Sequence, residues 1–144
     1  MPDASYYIII ARKNQVLLSF LNIRVIVNNK EIYPLLTTQP VIIPVEKDQL
    51  SIVITDGFHF TRPLRLTYDQ PGYFNFEVTC IVEDLQLLGG SLLMVICFLL
   101  ALFTGFLVLK ILSFLPIIWF LFFYYVNRKD FLQIKKAGKR IKRK

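Results

Sequence analysis

An α+β membrane protein is the fold class this sequence predicts. It has an N-terminal antiparallel β-sandwich over residues 1–84, a transmembrane helical hairpin over 85–126 and a polybasic juxtamembrane tail over 127–144. Three observations lead there. Residues 1–84 alternate apolar and polar side chains in short runs separated by turn signals, the two-residue period of strands. Residues 85–126 hold a single charge, Lys110, and residues 127–144 hold nine Lys or Arg against Asp130 alone. The formal net charge of +7 therefore belongs to the tail, while residues 1–84, with seven basic and nine acidic side chains, are slightly acidic. An apolar fraction of 55% with 15% aromatic residues excludes a disordered chain. Only 6 Gly and 2 Cys exclude the collagen-like and disulfide-scaffold classes.

The strands follow in order. Residues 6–12 are a first strand and residues 16–28 a longer one, with Ile23, Val25 and Val27 on one face. Asn28-Asn29-Lys30 tolerates positive φ and predicts a tight hairpin turn. Residues 31–36 return, and 37–40 form a loop. Residues 41–45 contain Pro44, which cannot donate to a ladder and so suits an edge strand. Residues 46–48 turn the chain into a strand over 49–55, Asp56-Gly57 turns it again, and a strand over 64–68 runs into a turn at 69–72. In the last strand Phe74, Phe76, Val78, Cys80 and Val82 alternate with Asn75, Glu77 and Thr79, giving one apolar and one wet face. About seven short strands over this length predict a sandwich or small barrel of modest stability.

Within 23–56, three runs follow one another: Arg24-Val25-Ile26-Val27-Asn28-Asn29-Lys30-Glu31-Ile32, then Pro40-Val41-Ile42-Ile43-Pro44, then Leu50-Ser51-Ile52-Val53-Ile54. This layout resembles that of PEGA-type modules, in which a strand and an Asn/Asp-Gly-Lys turn precede a short strand and then a strand that ends in a turn. The resemblance covers about a quarter of the chain; Asn29 stands where the family has Gly, and the Pro-Glu-Gly-Ala motif is absent. It implies a binding or scaffolding module in a small bacterial membrane-anchored protein, and it transfers no functional residue.

Residues 87–109 are 23 residues without a charge, enough to cross a hydrocarbon core about 30 Å thick. Residues 111–126 add 16 uncharged residues, roughly 24 Å as a helix, with Pro116 removing one backbone hydrogen bond. The run 119–125 reads as an interfacial aromatic belt, followed by Arg128-Lys129 as a cytoplasmic stop. A single long helix would strand Lys110 in mid-membrane at a cost of about 2.5–3.5 kcal/mol and is rejected. A hairpin puts Lys110 at the far-side turn, where its stem snorkels to the headgroups. The competing arrangement has one span, the sandwich outside and residues 111–126 in the inner interface. The hairpin is the expectation, because residues 1–5 lack a secretory pattern. It places the protein in the bacterial inner (cytoplasmic) membrane with both termini cytoplasmic. Cys97, Ala101 and Gly105, at i, i+4 and i+8, form a small-residue stripe suited to close helix packing.

The tail offers Arg128, Lys129, Lys135, Lys136, Lys139, Arg140, Lys142, Arg143 and Lys144 to a bilayer with anionic headgroups, each charge worth about 1 kcal/mol near the surface. Phe131, Leu132, Ile134 and Ile141 are expected to dip into the interface beside them. RNA or ribosome contact is the weaker alternative, since no aromatic side chain for base stacking lies among the last ten residues.

Motifs for chemistry are missing. His59, the single histidine, sits in Asp56-Gly57-Phe58-His59-Phe60; one histidine assembles no ordinary metal site. Neither cysteine has ligand-like spacing, and there is no nucleophile elbow, phosphate-cradling loop or His-Glu-x-x-His. No cofactor is expected. Phe58, His59 and Phe60 are expected to form an exposed loop tip that contacts a partner, or else to cap the sandwich core. The sequence therefore points to a non-catalytic accessory or adaptor subunit with a membrane-protein partner or a second copy. The alternative is a membrane-perturbing or pore-forming effector whose hairpin oligomerises.

Overall fold

A computed structural model of the chain describes residues 6–36, 39–45, 49–67 and 72–137. In order these form β1 (Tyr6–Arg12), α1 (Val16–Ser19), β2 (Arg24–Val27), β3 (Glu31–Pro34), β4 (Val41–Val45), β5 (Gln49–Thr55), β6 (Leu64–Thr67) and β7 (Tyr73–Cys80). The helical part follows with α2 (Asp84–Thr104), α3 (Leu107–Ser113), α4 (Leu115–Leu121), a π-helical turn (Phe122–Val126) and α5 (Arg128–Phe131), before β8 (Leu132–Lys136). Two units result. One holds all eight strands, and the other comprises residues 82–128.

The β unit has two four-stranded sheets, ordered β4-β1-β7-β8 and β3-β2-β5-β6. Alternation decides which side chains are buried: Tyr6, Ile8 and Ile10 on β1, Val25 and Val27 on β2, Leu50, Ile52 and Ile54 on β5, and Phe76, Val78 and Cys80 on β7 are all nearly inaccessible. Asn28 and Asn29 both have positive φ, 49° and 57°. The turn they form is closed by the Lys30 N–H donating to the Val27 carbonyl at 3.0 Å. Pro44 lies on β4, at one edge of its sheet, where the missing donor costs nothing. The turn at 46–48 and most of that at 69–72 fall outside the described residues.

In the β unit, three sequence expectations are corrected. The sheets are not wholly antiparallel, because β1 and β7 pair in parallel from Tyr7 with Tyr73 to Arg12 with Val78. The first strand and the last strand of the N-terminal region thus meet at the centre of one sheet. The strand expected over 16–28 begins only at Arg24. Upstream of it the Gln15 amide occupies the backbone of Cys80, accepting from its N–H at 2.7 Å and donating to its carbonyl at 3.5 Å. One helical turn then buries Leu18, and period-two alternation resumes only at Ile23.

The third correction concerns the tail. Leu132–Lys136 is not a lipid-facing segment but β8, antiparallel to β7 with Cys80 opposite Leu132 and Phe76 opposite Lys136. Ala137 N–H extends the pairing to the Asn75 carbonyl at 2.9 Å, and Ile81 N–H donates to the Phe131 carbonyl at 2.9 Å. Phe131 and Leu132, expected in the interface, are each 1% exposed within the β unit. Leu132 and Ile134 alternate with Gln133 and Lys135, a strand pattern hidden in the sequence by the surrounding charge.

In the helical unit, α2 begins at Asp84 behind an N-cap at Glu83, whose N–H donates to the Gln86 side chain at 3.1 Å. It ends at Gly105, which has φ 73°, a left-handed cap that glycine adopts without a Cβ clash. The hairpin therefore turns at Gly105-Phe106, and Lys110, expected at the turn, lies inside α3. Pro116 falls in the first turn of α4, where its missing N–H is tolerated. The segments from Leu107 to Val126 form one apolar run of 20 residues, and both it and α2 are long enough to cross a membrane. The less exposed positions are Asp84, Leu87, Gly90, Met94, Cys97 and Ala101 on α2 and Leu109, Ser113, Pro116, Phe120, Phe123 and Tyr124 opposite. Spacings of three and four up to Phe123 are those of a packed seam between antiparallel helices.

Replacing Leu132 by Ala should destabilise the β unit by about 2–4 kcal/mol, whereas Lys135→Ala at an exposed position should stay within about 0.5 kcal/mol. Denaturant unfolding in mild detergent, followed by β-sheet circular dichroism, reads both. Gly105→Val should cost about 1–2 kcal/mol by forcing a branched side chain into the left-handed region, read as a lower helix melting midpoint.

Candidate functional site

The residues between β5 and β6 fold into a tight, internally bonded loop. The Thr55 hydroxyl accepts from the Gly57 N–H at 2.9 Å, and Gly57 takes φ 97° to make the bend. Asp56 then turns its carboxylate over the loop: Oδ1 accepts from the Phe58 N–H at 2.9 Å and the His59 N–H at 2.6 Å. Its Oδ2 lies 2.8 Å from His59 Nδ1. Thr61 returns the chain to the sheet, its hydroxyl accepting from Ile54 N–H and its own N–H donating to the Ile54 carbonyl, both at 2.9 Å.

This arrangement places His59 in the interior, at 0% exposure. Its ring stacks on Phe131 with centroids 4.2 Å apart and planes 21° from parallel, and Phe58 meets it edge-on at 4.9 Å. The expectation of an exposed His59 at a contact tip is therefore corrected. Asp56 draws the ring inward, and Phe131, which lies 72 positions further along, covers it. Phe58 and Phe60 remain partly exposed, at 37% and 48%. An imidazole sealed this way holds the segment that leads into β8 against the β5–β6 loop. Arg62 and Asp130 add an exposed ion pair at 3.2 Å, of the kind that contributes little.

Burial alone would raise the Asp56 pKa, but the hydrogen bonds from the His59 side chain and from the His59 and Phe58 backbone outweigh it and hold it below its ordinary value. Among the described residues no three His, Cys, Asp or Glu side chains are grouped to hold a metal ion.

The remaining candidates are scattered. Cys97 and Ala101 are buried in the seam of the helical unit, at 6% and 1% exposure. Gly105 does not continue their stripe, because it caps the helix with positive φ and is exposed. Close approach comes instead at Gly90, where an added Cβ would lie 3.4 Å from that of Pro116. Arg128 and Lys129 are exposed on α5, and Lys135 and Lys136 are exposed at the end of β8. Lys139, Arg140, Lys142, Arg143 and Lys144 lie outside the described residues. Sequence reasoning missed Phe131 as the partner of His59. Its only signal was an aromatic residue ahead of a Leu-Gln-Ile alternation.

Comparison with protein-family models, with curated proteins and with solved structures finds no match to this chain.

Asp56→Ala should destabilise the β unit by about 2 kcal/mol at neutral pH, because the two loop N–H groups and the imidazole lose their acceptor. A carboxylate held below its ordinary value stabilises the fold above that value, 3.8 for aspartate, and the contribution is lost as pH falls through the lowered one. Wild-type stability should therefore fall as acid is added below about pH 4, and the Asp56→Ala chain should lack that component. Unfolding midpoints measured across the acid range test this.

Proposed function

We propose that this protein is a membrane-anchored, non-catalytic accessory or adaptor subunit. Its two apolar helices cross the bacterial inner membrane as a hairpin, and its β unit, read as a PEGA-like sandwich, binds a partner on the cytoplasmic side. The pairing of β7 with β8 carries this reading. One strand precedes the helices and the other follows them, yet they are neighbours in a single sheet. A chain whose apolar segments cross a bilayer between two such strands must cross an even number of times. The competing arrangement, one span with the β unit outside and the tail inside, would tear that pairing apart.

The helices support an apolar surround. Only 11% and 6% of their most apolar windows are buried, so nearly all of the Leu, Ile, Val and Phe they carry faces outward. A soluble helix hides a broad stripe; these hide a narrow seam. The aromatic run ahead of Arg128 and Lys129 favours the cytoplasmic side for the end that leads back into the sheet. The Asp56–His59 pair supports a non-catalytic role, because it is sealed beneath Phe131 and takes part in packing. Exposed Phe58 and Phe60 offer a partner an apolar contact of their own.

In intact cells, a cysteine introduced at Asn29 should resist a membrane-impermeant maleimide and react after permeabilisation. Labelling without permeabilisation would overturn the cytoplasmic placement. Purification of tagged protein in mild detergent should recover a stoichiometric partner or a defined homo-oligomer, and Phe58→Ser with Phe60→Ser should weaken that association about tenfold. A monodisperse monomer without a partner would overturn the adaptor role, and dye leakage from vesicles holding the purified chain would favour pore formation instead.

A further inference from the structure

A groove of about 360 Å³ opens between the two sheets where β1 ends and β2 begins. Arg12 and Arg24 line it with Ser19, Asn22 and the apolar side chains of Leu21 and Leu36. Among the described residues no carboxylate lines it. One guanidinium nitrogen of Arg12, Nη2, is buried without a hydrogen-bond partner, and burial draws this group below its ordinary pKa while leaving it charged. A buried cationic donor without an acceptor is costly. An oxyanion between the two arginines would draw the Arg12 guanidinium toward the groove and give it an acceptor, and the planar fork of a guanidinium suits phosphate.

Two further observations say which anion. Leu36, in the lining, is 56% exposed; next to the lining residue Ser19 in sequence, Phe20 is 80% exposed, and Val16, on the same helical turn as Ser19, is 54% exposed. Aromatic and aliphatic side chains beside a cationic groove are the pattern of a surface that enters an interfacial layer. The second observation is the position of the groove along the chain. Because β1 runs parallel to β7, Arg12 lies at the same end of the sheet as Val78 and Cys80. From that end the chain leaves toward Asp84, where α2 begins, and there it returns, with Ile81 bonded to Phe131. The groove is thus at the end of the sheet where the chain leaves β7 and re-enters at β8.

We propose that the Arg12–Arg24 groove is an anionic-lipid site, which seats the phosphate of a net-anionic headgroup while Phe20 and Val16 enter the interface beside it. The inference rests on the bilayer-spanning reading of the helices and adds a second lipid contact, apart from the basic tail. It accounts for an exposed phenylalanine and a buried arginine donor in one segment, which neither a soluble surface nor a packed core would favour.

The test uses the full chain in an uncharged detergent, titrated calorimetrically with dihexanoyl-phosphatidylglycerol, dihexanoyl-phosphatidylcholine and inorganic phosphate. Saturable binding of the phosphatidylglycerol is expected, weakened about tenfold or more by Arg12→Gln and by Arg24→Gln. Binding should be little changed by Lys135→Gln with Lys136→Gln, and weaker for the zwitterionic lipid. Arg24 is exposed, so its variant keeps the test valid if Arg12→Gln fails to fold, as judged by circular dichroism. Equal binding by wild type and both arginine variants overturns the proposal. Inorganic phosphate binding as tightly as the phosphatidylglycerol also overturns it, assigning the groove to a free anion. Alkaline carbonate extraction of membranes is the separate control: release of the chain would sink the spanning reading, while the titration would still decide the groove.

Discussion

The backbone ladder between β7 and β8 is the constraint on which the rest of the chain depends. Five residue pairs, from Phe76 with Lys136 to Cys80 with Leu132, join segments separated by the whole helical part. Without that ladder β7 would be a sheet edge, Phe131 would have no reason to cover His59, and the last part of the chain would be a free cationic arm. With it, the two ends of the helical excursion are fixed to neighbouring strands. The Asp56–His59–Phe131 stack reinforces the ladder from the side. A carboxylate organises a loop, the loop presents a ring, and the ring packs against the residue that opens the returning strand.

The helical unit follows a different rule. Most of its side chains point outward, and the two segments approach closely along a narrow seam that includes small residues. Gly90 admits Pro116, while Cys97, Ala101 and Ser113 keep the remaining contacts narrow. Where the surround is as apolar as the side chains, hydrophobic burial between helices adds little, and fit takes its place. Ser91, Thr104 and Ser113 return their hydroxyls to carbonyls of the preceding turn, which satisfies each polar group inside its own helix.

Much of this architecture was legible in the residues. Strands β1, β4 and β5 begin and end where their alternation and turn signals put them, and Asn28-Asn29 makes the expected turn. The two apolar runs are helices, although the turn between them is set by Gly105, whose conformational freedom decided it over the charge of Lys110. What was hidden was hidden for physical reasons. Residues 16–20 look like strand because Leu17 and Leu18 are apolar, but the Gln15 contact with Cys80, which redirects the chain, links positions 65 apart. The same holds for His59 and Phe131. A loop histidine between phenylalanines reads as an exposed tip until a distant segment is known to cover it. In β8 a short alternation sits beside a dense run of Lys and Arg, whose composition masks the period-two pattern.

The position of β8 also bears on how the chain is made. Synthesis proceeds from the N-terminus, so seven strands exist before the eighth, and β7 must wait with one side open while the whole apolar stretch is produced. Closure of the sheet is then a late, long-range event, the kind that proceeds slowly because a large loop must be brought together first. In that interval an open β7 edge is a template for any free strand, including β8 of another chain. Correct assembly thus depends on timing: the segment that seals the nascent domain is encoded behind the two helices that delay it.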